Sequence, residues 1–183
     1  MTSDAEPPTA SRSLRGTEIG SDPLVRELLG SRLIAVLCTL EPDGSVHAVP
    51  VWFAVDGDDV ILATSARSRK VRNVEKDARA TLVVHDSRSG ADVCGVSFHG
   101  RVEIVGKRRA RPLVELVHRR YITDEGLKLP ETRAFLAFDD VALRLVPEGA
   151  FTWDERGNPA SRALRETGGA YPLEPTSPRA DDR

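Results

Sequence analysis

The sequence predicts a mainly β protein with a few short helices, folded as an antiparallel β-barrel. Short apolar runs rich in β-branched residues recur along the middle of the chain, and Pro, Gly and Asp-Gly turns separate them at regular spacing. Adjacent strand runs with few helices between them favour an antiparallel barrel over a parallel β-α-β sheet. The chain contains no GxGxxG or P-loop pattern.

The length of 183 residues fits one domain with polar ends. Both ends are rich in Pro and charged residues, so we expect residues 1–20 to form a disordered arm, 21–155 the barrel domain and 156–183 a flexible tail. The net charge of −2 argues against a general nucleic-acid binder, which carries a strong basic excess.

A short helix and three strands are expected first. The segment SDPLVRELLGS offers Ser21 or Asp22 as N-cap, Pro23 in the first turn and Gly30 as the stop. The runs RLIAVLCTL and VHAVPVWFAV are joined by EPDGS and predict a hairpin. After the turn DGDD, the run VILAT predicts a third strand.

The second half of the barrel alternates helices and strands. Residues 68–76 have a helical pattern, because Val71 and Val74 share one face. RATLVVHD predicts a fourth strand and VCGVSFHGRVEIVG a fifth, in which Gly95 and Gly100 mark a bulge or sharp bend. KRRARPLVELVHRRYI predicts a helix, and AFLAFDDVALRLVPE predicts a final strand or pair of strands.

The segment TSARSRKVRN, residues 64–73, concentrates positive charge where a strand ends and a helix begins. Its cations are Arg67, Arg69, Lys70 and Arg72. Cations are unfavourable at a helix N-terminus, whereas an anion gains both free amides and the helix dipole. The pattern therefore predicts a bound anion, and the alternative is a solvated helix face.

The same segment supplies the donors that an anion needs. Thr64 and Ser65 offer hydroxyl groups. Arg69 and Lys70 offer charge-assisted hydrogen bonds, Arg as a planar fork and Lys as a mobile point charge.

Four blocks in order carry a family resemblance: DGSVHAVPVWF, DGDDVILAT, SRKVRNVEKDARATLVV and VSFHGRVEIV. They resemble the pyridoxamine 5′-phosphate oxidase-like superfamily, whose fold is an FMN-binding-type, Greek-key-like split β-barrel. Within it, the chain looks most like the deazaflavin (coenzyme F420)-dependent oxidoreductases of actinobacteria. The resemblance covers residues 24–150 and implies a homodimer with cofactor sites between the subunits.

The chain also departs from the oxidase itself. It has HAVPVWFAV where the oxidase carries an Arg- and Leu-rich phosphate motif, and it lacks the basic C-terminal ending used for the oxidase substrate. The resemblance therefore does not imply vitamin B6 oxidation.

The resemblance implies specific phosphate ligands in the basic segment. Lys70 matches best, with Ser68 and Arg69 beside it. Asn73 also matches, either as a ligand or as a structural residue. The two other arginines of the segment would contact the glutamate tail of F420 or face water.

The run VPVWFAV is the candidate for the ring end of the site. Pro50 lacks an N–H and therefore indicates a strand edge or bulge that a ligand could reach. Val49, Pro50, Val51 and Trp52 are expected to line the ring or the substrate space. The alternative is that Trp52 and Phe53 pack into the core and a dimer interface.

Two further side chains leave alternatives open. Trp153 follows the last strand and would lie either near the partner's cofactor or against the tail. His99 sits on the glycine-kinked strand, and we expect a structural role for it. No His or Cys cluster has metal-ligand spacing, so no metal site is predicted.

Three functions fit these observations. The first is an F420H2-dependent reductase of a small conjugated or aromatic substrate, with no side chain required as the catalytic acid or base. The second is an FMN-dependent oxidoreductase of the same fold, and the third a non-catalytic cofactor or heme carrier. The two cysteines are isolated, no apolar run approaches the roughly 18 residues of a membrane span, and the N-terminus does not resemble a signal peptide. These features predict a cytoplasmic protein without membrane partners.

Overall fold

A computed structural model describes residues 11–87 and 89–171. Its strands form one antiparallel sheet in the order β3-β2-β6-β7-β8-β5-β4, and β1 pairs with β8 beside this path. The strands are β1 (Arg12–Leu14), β2 (Ala35–Leu40), β3 (Val46–Val51), β4 (Phe53–Asp56), β5 (Asp59–Thr64), β6 (Arg79–Ser87), β7 (Val93–Gly106) and β8 (Val141–Asp154).

Short helices pack around this sheet. They are α1 (Thr17–Ser21), α2 (Pro23–Gly30), α3 (Arg69–Lys76), α4 (Ala110–Tyr121), α5 (Asp124–Lys128), α6 (Pro130–Leu136) and α7 (Pro159–Thr167). A 3-10 turn, Lys107–Arg109, leads into α4.

The sheet curls until its two ends come together. Strands β3 and β4 stand at opposite ends of the strand order, yet only Trp52 separates them in the sequence. The two end strands are not paired with each other, so the barrel stays open along the seam between β3 and β4. The predicted mainly β, split β-barrel architecture is confirmed.

The long strands β7 and β8 form the back of the barrel and contain its main irregularity. Their register shifts between His99 and Gly100, and the extra residue lies in β8 at Glu148. A Cβ added to Gly100 would lie 2.1 Å from the carbonyl oxygen of Val146, so the close approach of the two strands requires glycine there. The irregularity expected at Gly100 is confirmed as this register shift, whereas at Gly95, the other expected position, the pairing with Trp153 is regular.

Alternation along the strands separates an inner core from an outer face. In β2, Ala35, Leu37 and Thr39 are buried between half-exposed neighbours. The matching inner side chains of β7 include Phe98, which is 1% exposed. A second, smaller apolar cluster lies under α4, where Val117 packs near the outer side chains of β4, β5 and β8.

Helix α2 begins as the sequence predicted. Asp22 is its N-cap, and the carboxylate oxygen Oδ1 accepts hydrogen bonds from the amides of Leu24 and Val25. Arg12 of β1 binds the other oxygen of the same carboxylate. The capping residue therefore also ties the N-terminal strand to the helix.

The polar ends of the domain differ from the sequence prediction. Residues 11–20, expected to belong to a disordered arm, contain β1 and α1, because β1 pairs with the second half of β8 and Ile19 is buried. Part of the expected flexible tail forms α7, where Arg165 binds the carbonyl of Ala91 and the carboxylate of Asp92. Residues 1–10 and 172–183, predicted to be disordered and flexible, lie outside the described residues.

The segment before the last strand also differs from expectation. AFLAFDDVALRLVPE was expected to form a final strand or a pair of strands, but α6 ends at Leu136 and a single strand, β8, begins only at Val141. The first residues of this run extend a helix that begins at Pro130, whose fixed φ suits a first helical turn.

Tyr121 closes the barrel at its seam. Its hydroxyl accepts a hydrogen bond from the amide of Phe53 at 3.3 Å and donates to the carbonyl of Leu33 at 2.6 Å. Its ring stacks on Trp52 with centroids 5.0 Å apart. One side chain of α4 therefore fixes the start of β4 to the segment that enters β2.

We expect Tyr121→Phe to lower the free energy of unfolding by about 1–3 kcal/mol, because it leaves a half-buried amide and carbonyl without their partner. Urea unfolding followed by circular dichroism measures this loss. Tyr171→Phe is the matched control, since Tyr171 is 92% exposed, and it should leave the midpoint unchanged. Equal midpoints for wild type and Tyr121→Phe would contradict this role.

Candidate cofactor site

The β4–β5 hairpin brings both predicted halves of the site to one end of the barrel. Its register pairs Phe53 with Leu62. The chain therefore enters and leaves the hairpin at the same end. Residues 49–52 precede Phe53 at that end, and residues 64–73 follow Leu62 there. The candidate ring residues and the basic segment meet there because of strand pairing.

Three polar side chains of the basic segment contact each other. The ammonium group of Lys70 donates to the hydroxyl of Thr64 at 3.0 Å. That hydroxyl donates to the hydroxyl of Ser68 at 3.3 Å. Thr64 is 5% exposed, so this group of donors is fixed at the inner end of the segment.

Burial lowers the pKa of the Lys70 ammonium below its ordinary value, and the negative charge of Asp139 partly opposes this shift. No carboxylate of the described residues forms an ion pair with Lys70. A half-buried cation without a direct counter-ion is costly, and a bound anion would remove that cost.

The N-terminus of α3 lacks a side-chain cap. Ser68 occupies the N-cap position, but its side chain makes no capping hydrogen bond and contacts Thr64 instead. The first-turn amides, of Arg69, Lys70 and Val71, have no intrahelical acceptor. The first turn contains no acidic residue. Free amides, an uncapped helix dipole and a buried ammonium group together fit a phosphate.

The loop before α3 is held by a carboxylate that the sequence reasoning missed. Asp140, just before β8, accepts a hydrogen bond from the amide of Ala66 at 2.6 Å. Within the loop, the hydroxyl of Ser65 accepts from the amide of Arg67 at 3.3 Å. Ser65 therefore shapes the loop through its oxygen, while its O–H can still donate to an anion.

A second missed pair lies behind Lys70. Asp139 contacts Nε2 of His118 at 2.8 Å, and His118 is 7% exposed on α4. In the sequence, the contact between Asp139 and His118 is indicated only by the two adjacent aspartates before the last strand. This signal becomes informative once β5 is known to pair with β8, where Thr64 lies opposite Val141.

Asn73 makes a structural contact. Its side-chain amide donates to the hydroxyl of Thr39 at 3.1 Å, and both residues are at least 97% buried. The bond fixes α3 to β2. Of the two roles that the sequence left open for Asn73, the structure contains the structural one.

Arg69 points away from Lys70. Its Nε lies 3.7 Å from the carboxylate of Glu41, at the end of β2, and its side chain is 62% exposed. Both residues line a polar cavity of about 570 Å³, together with His47, Arg72 and Lys76. The basic segment therefore divides into an inner group around Lys70 and an outer group around Arg69.

The candidate ring residues of β3 alternate between its two faces. Val51 is 8% exposed and belongs to the inner core, and Val49 packs against that core. Pro50 is exposed on the opposite face, across from Val36 of β2. β3 is the terminal strand of the sheet, so its outer backbone edge has no strand partner among the described residues.

The two aromatic residues after β3 take different positions. Trp52 is half-buried between Tyr121 and the cluster under α4. Phe53 is fully buried in the inner core, under the guanidinium of Arg120. Core packing, which the sequence left as an alternative for both, applies fully to Phe53 and partly to Trp52.

Trp153 and His99 lie on the outer face of the sheet. A Cβ on Gly95 would lie 2.1 Å from the ring of Trp153, so this ring covers Gly95. The Trp153 ring also stacks on Phe151, with centroids 6.3 Å apart. The ring of His99 covers Gly149 in the same way, as its Nε2 would lie 2.4 Å from a Cβ there.

Comparison with known proteins identifies the family. The family model described as pyridoxamine 5′-phosphate oxidase matches residues 21–154. The chain belongs to the pyridoxamine 5′-phosphate oxidase family. Among curated proteins, none matches the sequence.

Solved structures place the chain among split-barrel members of this family. Rv2991 from Mycobacterium tuberculosis, a conserved hypothetical protein, is 28% identical with a TM-score of 0.63, covering 78% of this chain and 91% of that one. An F420 reductase is 26% identical with a TM-score of 0.55, covering 68% and 94%. HutZ, a heme storage protein from Vibrio cholerae, is 16% identical with a TM-score of 0.58, covering 72% and 94%, and shares the fold alone.

In this member of the pyridoxamine 5′-phosphate oxidase family, the described residues contain no group of three or more His, Cys, Asp or Glu placed to hold a metal ion. Across the same part of the chain, no helix is long and apolar enough to cross a membrane. Cys38 and Cys94 are free, and burial raises the pKa of both thiols.

We expect the pKa of Lys70 to lie below the ordinary lysine value of 10.5, because burial disfavours its charged form. Adding inorganic phosphate should raise it, since a bound anion favours the ammonium. The measurement is an NMR titration of the 13Cε resonances, in which Lys70→Arg identifies the signal by its loss. A pKa at or above 10.5 in the free protein would contradict the burial argument.

Proposed function

We propose that the protein is an F420-dependent oxidoreductase that reduces a small conjugated or aromatic substrate. The observation that carries this proposal is the uncapped N-terminus of α3 beside the half-buried Lys70, which fits the cofactor phosphate. The bound deazaflavin supplies the hydride chemistry. The F420 reductase among the solved structures supports this choice of cofactor.

The inner group around Lys70 can satisfy a phosphate with few rearrangements. Lys70 supplies charge, and the first-turn amides of α3 supply hydrogen bonds directed along the helix axis. The hydroxyls of Thr64 and Ser68 stand next to Lys70 and can turn toward the same oxygens. Asp140 keeps the loop in place by occupying the amide of Ala66.

The outer group around Arg69 favours F420 over FMN. F420 carries an anionic glutamate tail beyond its phosphate, whereas FMN ends at the phosphate. The polar cavity of about 570 Å³ beside α3 is lined by Arg69, Arg72 and Lys76 against the acidic Glu41 and Asp43. Its excess of cations suits a tail that continues from the phosphate along the helix.

The ring end is proposed to lie at the open seam of the barrel. Val49, Pro50 and Val51 present the free backbone edge of β3, and Trp52 is held in place by its stacking on Tyr121. Backbone groups on a free edge can bind the pyrimidine side of a flavin-like ring. The hydride chemistry needs no acid or base side chain in this arrangement, and we assign none.

We propose a homodimer that completes the site. A row of directly opposed side chains crosses the outer face through Pro50, Val36, Val83, Ser97 and Phe151. Opposed residues share one face of a sheet, so this row forms a continuous and mostly apolar surface that begins at the candidate ring residues. A second copy of the chain that covers it would border the cofactor. The free thiols are consistent with a reducing cytoplasm.

The decisive experiment titrates the cofactor-free protein with F420, FMN and heme, using fluorescence anisotropy for the first two and the Soret band for heme. We expect selective F420 binding. Lys70→Ala should weaken it by about 1–3 kcal/mol, the range of a charge-assisted hydrogen bond, or roughly 5- to 150-fold. Lys128→Ala is the control, because Lys128 is an exposed lysine that pairs with Glu125 on α5.

Each other outcome of this titration has a defined meaning. Selective FMN binding with the same loss in Lys70→Ala would keep the phosphate site and make the protein a flavin enzyme. Heme binding alone would favour a carrier. If Lys70→Ala bound F420 with the wild-type affinity, the phosphate site would be contradicted. If the protein bound none of the three ligands, the proposed function would be contradicted and only the fold would remain.

We expect a dimer by multi-angle light scattering, because the outer face carries exposed apolar side chains such as Val46 at 63% and Phe151 at 43%. The double variant Val46→Lys, Phe151→Glu should shift the protein to monomer, since it buries two charges at the interface. Phe138→Glu is the control, because Phe138 is 71% exposed and lies outside β8. A monomeric wild type would contradict the dimer and the shared site.

A further inference from the structure

A second and larger cavity opens at the other end of the barrel. Its volume is about 840 Å³, and it lies between the helices α1 and α2, the β4–β5 turn and α4. Val60 of β5 lines it, while Thr64 of the same strand belongs to the candidate cofactor site. Four residues of strand span about 13 Å, so the two sites are separate.

The inner wall of this cavity is apolar. Val25, Val60 and Phe98 line it and are each at most 1% exposed to solvent. At its mouth, Leu116 and Val146 line the same cavity but are 41% and 44% exposed. An apolar surface that runs from the core to exposed side chains indicates a path for an apolar ligand.

Arg120 lines this cavity and carries an unpaired donor. Its Nη2 donates to the carbonyls of Leu29 and Ser31, and the guanidinium lies 4.5 Å over the ring of Phe53. Its Nε is buried without a hydrogen-bond partner among the described residues. A guanidinium stays protonated in proteins, so this N–H retains an unmet need for an acceptor.

The charges around the cavity leave an excess of unneutralised cations. Arg26 donates to the carbonyl of Ser21, and neither Arg26 nor Arg120 pairs with a carboxylate of the described chain. By contrast, the lining carboxylate of Asp59 is neutralised by Arg144 at 2.7 Å. Asp58 is the one lining carboxylate without such a partner in the described part of the chain.

We propose that this cavity binds an aliphatic monocarboxylate of fatty-acid type. The hydrocarbon chain packs against Leu29, Leu116 and Val146, the half-buried and exposed apolar residues of the lining, and the carboxylate accepts hydrogen bonds from Arg120 and Arg26. The binding is independent of the cofactor, because the residues of the two sites do not overlap.

Calorimetry with decanoate tests the proposal on the full-length protein without cofactor. We expect saturable binding of one decanoate per chain, and at least tenfold weaker binding of decanol, which has the same chain without the charge. Arg26→Gln should weaken decanoate at least fivefold. Arg111→Gln is the matched control, since this exposed arginine of α4 does not line the cavity, and Lys70→Ala should also leave the affinity unchanged.

Two blocking variants locate the ligand. Gly30→Phe adds a ring where a Cβ meets no atom within 4 Å, and Val146→Trp enlarges an exposed side chain at the mouth. At least one that keeps the wild-type circular dichroism spectrum should lose decanoate binding. Unchanged affinity in both, equal affinity for decanol, or no decanoate binding in the millimolar range would overturn the proposal.

Discussion

The structure depends on one constraint: β3 and β4 follow each other in the sequence but stand at opposite ends of the sheet. A single residue, Trp52, spans the step. The six ladders between them must therefore curl the sheet until its two ends nearly touch, and the right-handed twist of the strands supplies the curvature. Tyr121 holds the result by binding Phe53 and the segment before β2.

This closure decides where a ligand can bind. The open seam leaves one backbone edge of β3 without a strand partner among the described residues. The β4–β5 hairpin, which follows β3, returns the chain to the start of α3. The free edge and the N-terminus of the helix therefore lie at the same end of the barrel. Lys70 is buried there at an electrostatic cost. Asp139 offsets part of this cost from a distance but is itself bound to His118, and among the described residues the hydrogen bond of Lys70 goes to the neutral hydroxyl of Thr64. We therefore propose an anion as its charged partner.

Local signals in the sequence predicted β2, β5, β6 and β7, Asp22 as one of two candidate caps, and the position of the basic segment, because each depends on neighbouring residues. The run VHAVPVWFAV was expected to be a single strand, but it is divided at Trp52 into β3 and β4. The contacts of Asp140 and Tyr121 depend on pairings across 74 and 68 residues and leave no local trace. The same limit explains the ends of the domain: β1 is too short to be recognised by itself and is ordered by β8. Arg69 and Lys70 were both expected to donate charge-assisted hydrogen bonds to the anion, but on a helix adjacent residues point about 100° apart.

Alternation on β3 also limits how the ring can be held. Val49 and Val51 face the inner core while Pro50 faces outward, so their side chains cannot all touch one flat ligand. Only the backbone edge of the strand is accessible from the seam to a ring that lies across it. In the proposed homodimer, the side chains that line the remaining space would come from the second copy of the chain, which would cover the apolar outer face that starts at Pro50. Under this proposal the split barrel provides one half of the ring site, and the alternation along β3 limits that half to the backbone edge of the strand.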